Sequence, residues 1–398
     1  MGELANPQGA SADSPKFVPF QELYLHIPFC AQRCSYCDFT TEATVAEDAA
    51  LDTYVDELVS IIGYCAGQGA LKDVRTIYIG GGTPSFLGAR RLSRLVGALT
   101  KAMGSLDGVV EFTVEANPES IDKRMVEELA ALGVNRFSLG VQSFDDHELQ
   151  ALGRIHDSAS AQAALSVIRS STENVAIDLM CGIPLQSAVS WQASLDAAVS
   201  CGANHISVYP LSLEKGCALT DAVASGRVVV ADQDTQADLL LQAEQYLQKQ
   251  GFDHYEIASY ARPGFQCQHN IGYWTGQPYL GIGRGAVTMC IAHDGRRIRI
   301  LDGKWIDVLS AHEAWIEEAM LRMRLASGLA DSFIFQNHKG MQKATVAIAL
   351  QKLLEEMVEL GLLKHTQGRY SIADHSWLLG NEVFGRIWSL ADHDMFRQ

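Results

Sequence analysis

With 398 residues, 47% hydrophobic and 20% charged, the chain has the composition of an ordinary globular protein, long enough for one large core and a smaller appendage. The 31 basic against 47 acidic side chains give a formal net charge of -16, a field that repels polyanions and sets nucleic acid aside as a partner. Nine cysteines, an odd number without regular spacing outside one cluster, fit a reducing compartment better than a disulfide framework. No stretch approaches the roughly 18 apolar residues of a membrane span, and the first residues lack the basic and apolar segments of a signal peptide, so the expected location is the cytoplasm. Met1-Gly2 does not complete a myristoylation signal, because Asn6 stands where that signal needs Ser or Thr.

Residues 1–19 are small, polar and punctuated by proline, which predicts a flexible leader. From Glu22 onward, short apolar runs (ELYLHI, TIYIG, VEFTVEA, RFSLGV, NVAIDLM, HISVYPL) alternate with segments of helical period. The helices are expected over Ala46 to Cys65, Arg90 to Met103, Lys123 to Leu132, Ser158 to Arg169 and Trp191 to Cys201. Six such units imply right-handed crossovers and a parallel sheet, and favour an open (β/α)6 partial barrel over a doubly wound sheet. A core over residues 20–255 is followed by a segment over 256–310 with short strands around DHYEIASYA and the glycine turn GIGRGA. Residues 311–398 read as two helical stretches and two short strands, a small α+β unit resembling a winged helix.

The polar residues gather at the carboxyl ends of the strands, where barrels and open α/β sheets hold ligands. They are the cysteine loop, Gly80-Gly81-Gly82-Thr83-Pro84, Glu115, Gln142, Asp178 and Tyr209-Pro210. Any one of them is most simply a turn or a helix cap; six strand ends together point to a site. Cys30, Cys34 and Cys37 lie in YLHIPFCAQRCSYCDF, a C-x3-C-x2-C spacing. Zinc commonly takes two separated pairs, and no second CxxC or HxxxH follows. Three thiolates on one loop instead suit a 4Fe-4S cube with one iron left open.

The triplet and its flanks resemble the radical S-adenosylmethionine superfamily. That resemblance implies a 4Fe-4S cluster whose open iron is chelated by the methionine end of S-adenosylmethionine, which the cluster cleaves to a 5'-deoxyadenosyl radical. From about residue 22 the chain is similar to the anaerobic coproporphyrinogen oxidase family. The resemblance places Tyr24 and Tyr36 beside the cluster and gives Gly81, Gly82 and Thr83 the methionine end of the cofactor. It also gives Glu115 the charged amino acid part, and Gln142, Arg154 and Asp178 the sulfonium and ribose.

Two details divide that family. Its oxidases continue the cysteine motif as CxxxCxxCxC, whereas this chain has Phe39 at the last position. CQHNIGYW, Cys267 to Trp274, matches the HNxxYW pattern of the HemW subfamily of heme chaperones. That implies heme as a further cofactor, with His269 as the expected ligand, Cys267 as the runner-up, and Tyr273 and Trp274 as an aromatic wall. Members of that subfamily often carry a histidine after the GIGxGA turn, where this chain has Val287. The CxxCH attachment motif of c-type cytochromes is absent. The resemblance further implies an acceptor protein for the heme and an electron donor such as a flavodoxin or ferredoxin. The alternatives are an oxygen-independent coproporphyrinogen III oxidase, against which Phe39 argues, and a radical tRNA-modifying enzyme, for which the acidic balance supplies no RNA-binding surface.

Overall fold

The computed structural model describes residues 16–335, 343–374 and 376–391; the leader expected over 1–19 lies mostly outside them. The six predicted strands form as β1 Glu22–Ile27, β2 Thr76–Gly81, β3 Glu111–Ala116, β4 Arg136–Gln142, β5 Val175–Cys181 and β6 His205–Pro210, all parallel. The helices between them are α1 Ala49–Gly67, α2 Gly88–Met103, α3 Lys123–Ala131, α4 Asp146–Leu152, α5 Ser158–Arg169 and α6 Ala188–Ser200. Most start on an aspartate or serine whose side chain accepts from the first turn: Asp48, Asp122, Asp145, Asp157 and Ser187.

These six strands are the middle of a twelve-stranded sheet. After α7 Ala218–Ala224 and α8 Gln233–Lys249, β7 Asp253–Glu256 and β8 Ser259–Ala261 continue it antiparallel beside β6. Past α9 Gln268–Trp274, β9 Tyr279–Ile282 returns to lie parallel to β1, and β10 Val287–Ile291, β11 Arg297–Leu301 and β12 Lys304–Leu309 follow antiparallel. The spatial order is β12-β11-β10-β9-β1-β2-β3-β4-β5-β6-β8-β7, so residues 253–309 extend both edges of the predicted sheet.

The strand period of two gives the sheet two unlike faces. Leu23, Leu25, Ile27, Ile77, Ile79, Phe112, Val114, Phe137 and Leu139 face the helices in a continuous apolar core. Each such buried side chain contributes roughly 1.5–3 kcal/mol. The alternate residues are polar yet buried: Glu22 and His26 on β1, Thr76 on β2, Glu111 and Thr113 on β3, Arg136 and Ser138 on β4, His205 and Ser207 on β6. A buried polar face is costly unless its groups find partners. It is this face that α9 closes from below and a cavity occupies above.

The rest of the chain forms α10 Ala311–Arg322, α11 Asp331–Phe335, α12 Lys343–Glu359 and α13 Gly380–Trp388 around three short antiparallel strands. The strands are β13 Leu329–Ala330, β14 Leu363–Thr366 and β15 Arg369–Ile372, in the order β13-β15-β14. A core of its own, including Ile316, Met323, Leu350, Leu354, Met357 and Ile387, holds this α+β unit together. Trp377 Nε1 donating to Glu244 Oε2 at 2.9 Å ties it to α8.

One close approach is testable as stability. A Cβ on Gly272 of α9 falls 1.3 Å from Glu22 Oε1, so only glycine lets the helix sit on the start of β1. Gly272→Ala is expected to cost about 3 kcal/mol or more in a denaturant melt, because the buried carboxyl must be displaced. Glu22→Ala on that background should recover most of the loss. A single variant within about 0.5 kcal/mol of wild type would remove the contact from the account.

Candidate functional site

The carboxyl ends of β1 to β6 open onto a cavity of about 340 Å³. Cys30, Cys34, Tyr36 and Cys37 line one side of it; Gly81, Gly82, Thr83, Glu115, Gln142, Arg154 and Asp178 line the rest. Every predicted cluster and S-adenosylmethionine position except Tyr24 therefore meets in one space, from five strand ends and, for Arg154, the loop after α4. Gln142 gets there by a register slip between β4 and β5 and a positive φ of 70°. Strain of that kind in a residue other than glycine persists where the surroundings hold it, commonly at ligand sites.

The two glycines serve the loop packing first. A Cβ on Gly81, whose φ is 119°, would lie 2.6 Å from His26 Cε1. On Gly82 it would lie 2.8 Å from Phe29 O and 2.9 Å from Cys30 Sγ. The turn after β2 thus fits against the cysteine loop only without side chains.

A residue the sequence reading passed over connects the thiols. Thr83 Oγ1 lies 3.4 Å from Cys30 Sγ and accepts from Asn117 Nδ2 at 3.0 Å. Asn117 Oδ1 accepts from Arg154 Nη2 at 2.8 Å, and Arg154 Nη1 donates to Cys34 Sγ at 3.3 Å. Arg154 is fixed further by Gly140 O at 2.7 Å. This arc sets a hydroxyl and a guanidinium on two of the three sulfurs, the donors a charged thiolate cluster requires. The signal for Asn117 was its place two residues after Glu115 in VEANP, at the same strand end. Cys217 packs beneath the loop, with Sγ donating to Cys37 O at 3.3 Å, but it is buried and lines no part of the cavity.

Glu115 is the central acid. Its carboxylate accepts from Tyr78 OH at 2.7 Å and from Gly81 N at 3.0 Å. Burial, reinforced by the nearby Asp178, outweighs the Tyr78 hydrogen bond and pushes it up to about 7. Asp178 is itself raised by burial, against hydrogen bonds from Ser207 and Ser138. Among the described residues no cation hydrogen-bonds to Glu115, so two half-buried acids face a space that a donor-rich ligand would satisfy.

A second cavity of about 490 Å³ adjoins the first. The two share Asp38, Phe39, Gly81 and Glu115. Tyr24, His26, Thr40, Tyr273, Tyr279, Gly285 and Val287 complete its lining, and Tyr24 OH bonds His26 Nδ1 at 2.9 Å. Of the CQHNIGYW residues only Tyr273 reaches it. His269 lies beneath, 1% exposed, with Nδ1 bonded to Thr76 Oγ1 at 2.8 Å and Nε2 to Tyr273 OH at 3.0 Å. Cys267 is wholly buried, its Sγ donating to Glu111 Oε1 at 3.3 Å. Trp274 turns the other way: its Nε1 donates to Glu256 Oε2 at 3.2 Å, and Arg324 lies 4.5 Å over its ring.

The description of the Radical SAM superfamily fits residues 24–198. The heme chaperone HemW of Synechocystis is 36% identical over 326 residues, which is 77% of this chain and 78% of that one. The heme chaperone HemW of Mycobacterium tuberculosis is 36% identical over 376 residues, 91% of this chain and 93% of that protein. The chain belongs to the HemW family. Its structure also matches the solved Escherichia coli coproporphyrinogen III oxidase HemN, a radical SAM enzyme, with a TM-score of 0.76 over 94% of this chain and 91% of that one. At 21% identity this likeness establishes the fold alone. The mixed sheet with helices on its apolar face is thus the radical SAM α/β fold, and a closed barrel is not needed for it.

The residues present in this HemW-family chain fit the groups its superfamily is built around, a 4Fe-4S cluster and S-adenosylmethionine. The donor set is three soft thiols along one cavity wall, with Thr83 and Arg154 turned to the sulfurs. Among the described residues no three His, Cys, Asp or Glu side chains converge as closely as a single metal ion demands. Among them, too, no helix is long and apolar enough to cross a membrane.

Proposed function

We propose that this chain is a heme chaperone, which binds heme beside a 4Fe-4S and S-adenosylmethionine centre and passes it to an acceptor protein. The observation that carries the reading is the pair of contiguous cavities with Glu115, Gly81, Asp38 and Phe39 in their common wall, one thiol-lined and one aromatic. In this reading Cys30, Cys34 and Cys37 hold the cluster, with Tyr36 against it. Gly81, Gly82 and Thr83 offer backbone groups to the methionine end of the cofactor, and Glu115 accepts from its amino group. Gln142, Arg154 and Asp178 enclose the sulfonium and ribose. The bound cluster and cofactor together supply one-electron chemistry, for which a flavodoxin or ferredoxin is the proposed donor. Two relatives named as heme chaperones, similar over most of the chain, support heme as the cargo.

The test is anaerobic purification with iron, sulfide and heme counted on one sample, followed by hemin titration. Cluster together with stoichiometric, saturable hemin binding is the expected result. The shared fold with HemN keeps an oxidase as the second reading. Cluster without hemin affinity, and protoporphyrinogen formed from coproporphyrinogen under strict anaerobiosis, would replace the chaperone with it.

A further inference from the structure

The CQHNIGYW segment is built as a brace across the polar face of the sheet. At one end Glu111 accepts from Gln268 N at 2.7 Å, from His269 N at 3.3 Å and from Cys267 Sγ at 3.3 Å. Further along, Gly272 seats on the buried carboxyl of Glu22. Between these anchors the His269 ring stacks on Tyr78, centroids 5.1 Å apart. A neutral imidazole has one donor and one acceptor nitrogen. The hydroxyls of Thr76 and Tyr273 use both. No lone pair remains for a metal, and the ring lines neither cavity.

Resting on the heme-binding reading above, we infer that His269 is a positioning residue: it locks Tyr273 into the wall of the second cavity, and the tetrapyrrole lies in that cavity against Tyr273 instead of on the His269 imidazole. Tyr273 is held on two sides, by the His269 hydrogen bond and by an edge contact with Tyr279 at 4.7 Å. With Tyr24 and the exposed Phe39 these rings make an aromatic lining suited to a flat, polarisable molecule. The cavity, about 490 Å³, falls in the usual range for small-molecule sites. Its shared wall puts any occupant next to the thiol-lined space, whereas the depth at which His269 lies offers no room for a macrocycle.

Hemin titration followed at the Soret band, with iron and sulfide counted on the same reconstituted samples, separates the roles in H269Q, H269A, Y273F and Y273A. Glutamine supplies an amide donor and a carbonyl acceptor, so H269Q can restore both hydrogen bonds without an imidazole. H269Q is expected to keep the wild-type Soret position and an affinity within about twofold, the spread of a conserved hydrogen bond. H269A keeps the band position but binds about fivefold more weakly, the loss of one hydrogen bond, and Y273F matches it. Y273A, which removes the wall, loses about tenfold or more. A Soret band that moves in H269Q with the cluster intact puts the iron on the imidazole and overturns the inference while the heme reading stands. Y273F and Y273A indistinguishable from wild type overturn it equally. A wild type that takes up no hemin overturns the heme reading itself. Should Y273A lose its cluster, H269Q and Y273F decide the matter, since both preserve the side-chain volume at their sites.

Discussion

C30A, C34A and C37A are each expected to come from anaerobic reconstitution colourless, with iron and sulfide near zero, because a cube held by three protein thiolates loses a corner that no neighbour can replace. The nearest spare thiol is Cys217, buried, outside the cavity and occupied with Cys37 O. C217A should therefore keep the chromophore, as should variants of Cys65 and Cys290, which pack in the apolar core. The fold itself should survive the three substitutions: the cysteine loop follows β1, whose apolar residues remain in the core, so circular dichroism and melting temperature report intact protein. Cluster content unchanged in any one of the three removes that thiol from the site. Cluster lost in C217A would make it the fourth ligand and leave no iron free for a cofactor.

How much of this was legible in the sequence follows from the range of the contacts. ELYLHI places Leu23, Leu25 and Ile27 on one face and Glu22, Tyr24 and His26 on the other, so the apolar run announced the strand, whereas the burial of Glu22 and His26 on its polar side is a tertiary fact. The strand ends then named residues that line the first cavity, since connectivity alone puts successive ends on one rim. The arc through Asn117 was not legible, because Thr83 and Arg154 are 34 and 37 residues from it and nothing local marks the pairing. Nor was the depth of His269. Its partner Thr76 is 193 residues away, and a short motif shows which groups it carries, not which are consumed by the fold. The strands β9 to β12 escaped because they are four to six residues long, Gly281 interrupts β9 and Arg299 interrupts β11, and pairing of β9 to β1 and of the others in turn decides them.

The pH signature of the first cavity belongs to Glu115. Without ligand, burial holds its carboxyl up to about 7, so at pH 6 it is mostly protonated and at pH 8 mostly charged. The amino group of S-adenosylmethionine, when protonated or with its lone pair engaged, would offer only N–H donors and require the carboxylate as acceptor. Binding therefore lowers the Glu115 pKa and releases a proton, and affinity must rise with pH through that value. The fraction of carboxylate grows about tenfold between pH 6 and 8, so this group contributes about a tenfold gain in affinity across that window. The cofactor amine titrates nearby as well, and E115Q separates the two, since glutamine carries no proton to release. The ratio of wild-type to E115Q affinity, measured by calorimetry on reconstituted protein, is expected to climb about tenfold from pH 6 to 8. E115A should bind about ten- to a hundredfold more weakly than wild type at pH 8, the loss of one charge-assisted hydrogen bond, and by a smaller factor at pH 6. A ratio that is flat with pH would show that the carboxyl is already charged at pH 6 and that Tyr78 and Gly81 outweigh its burial. Wild-type affinity in E115A at both pH values would take the amino group away from β3 altogether.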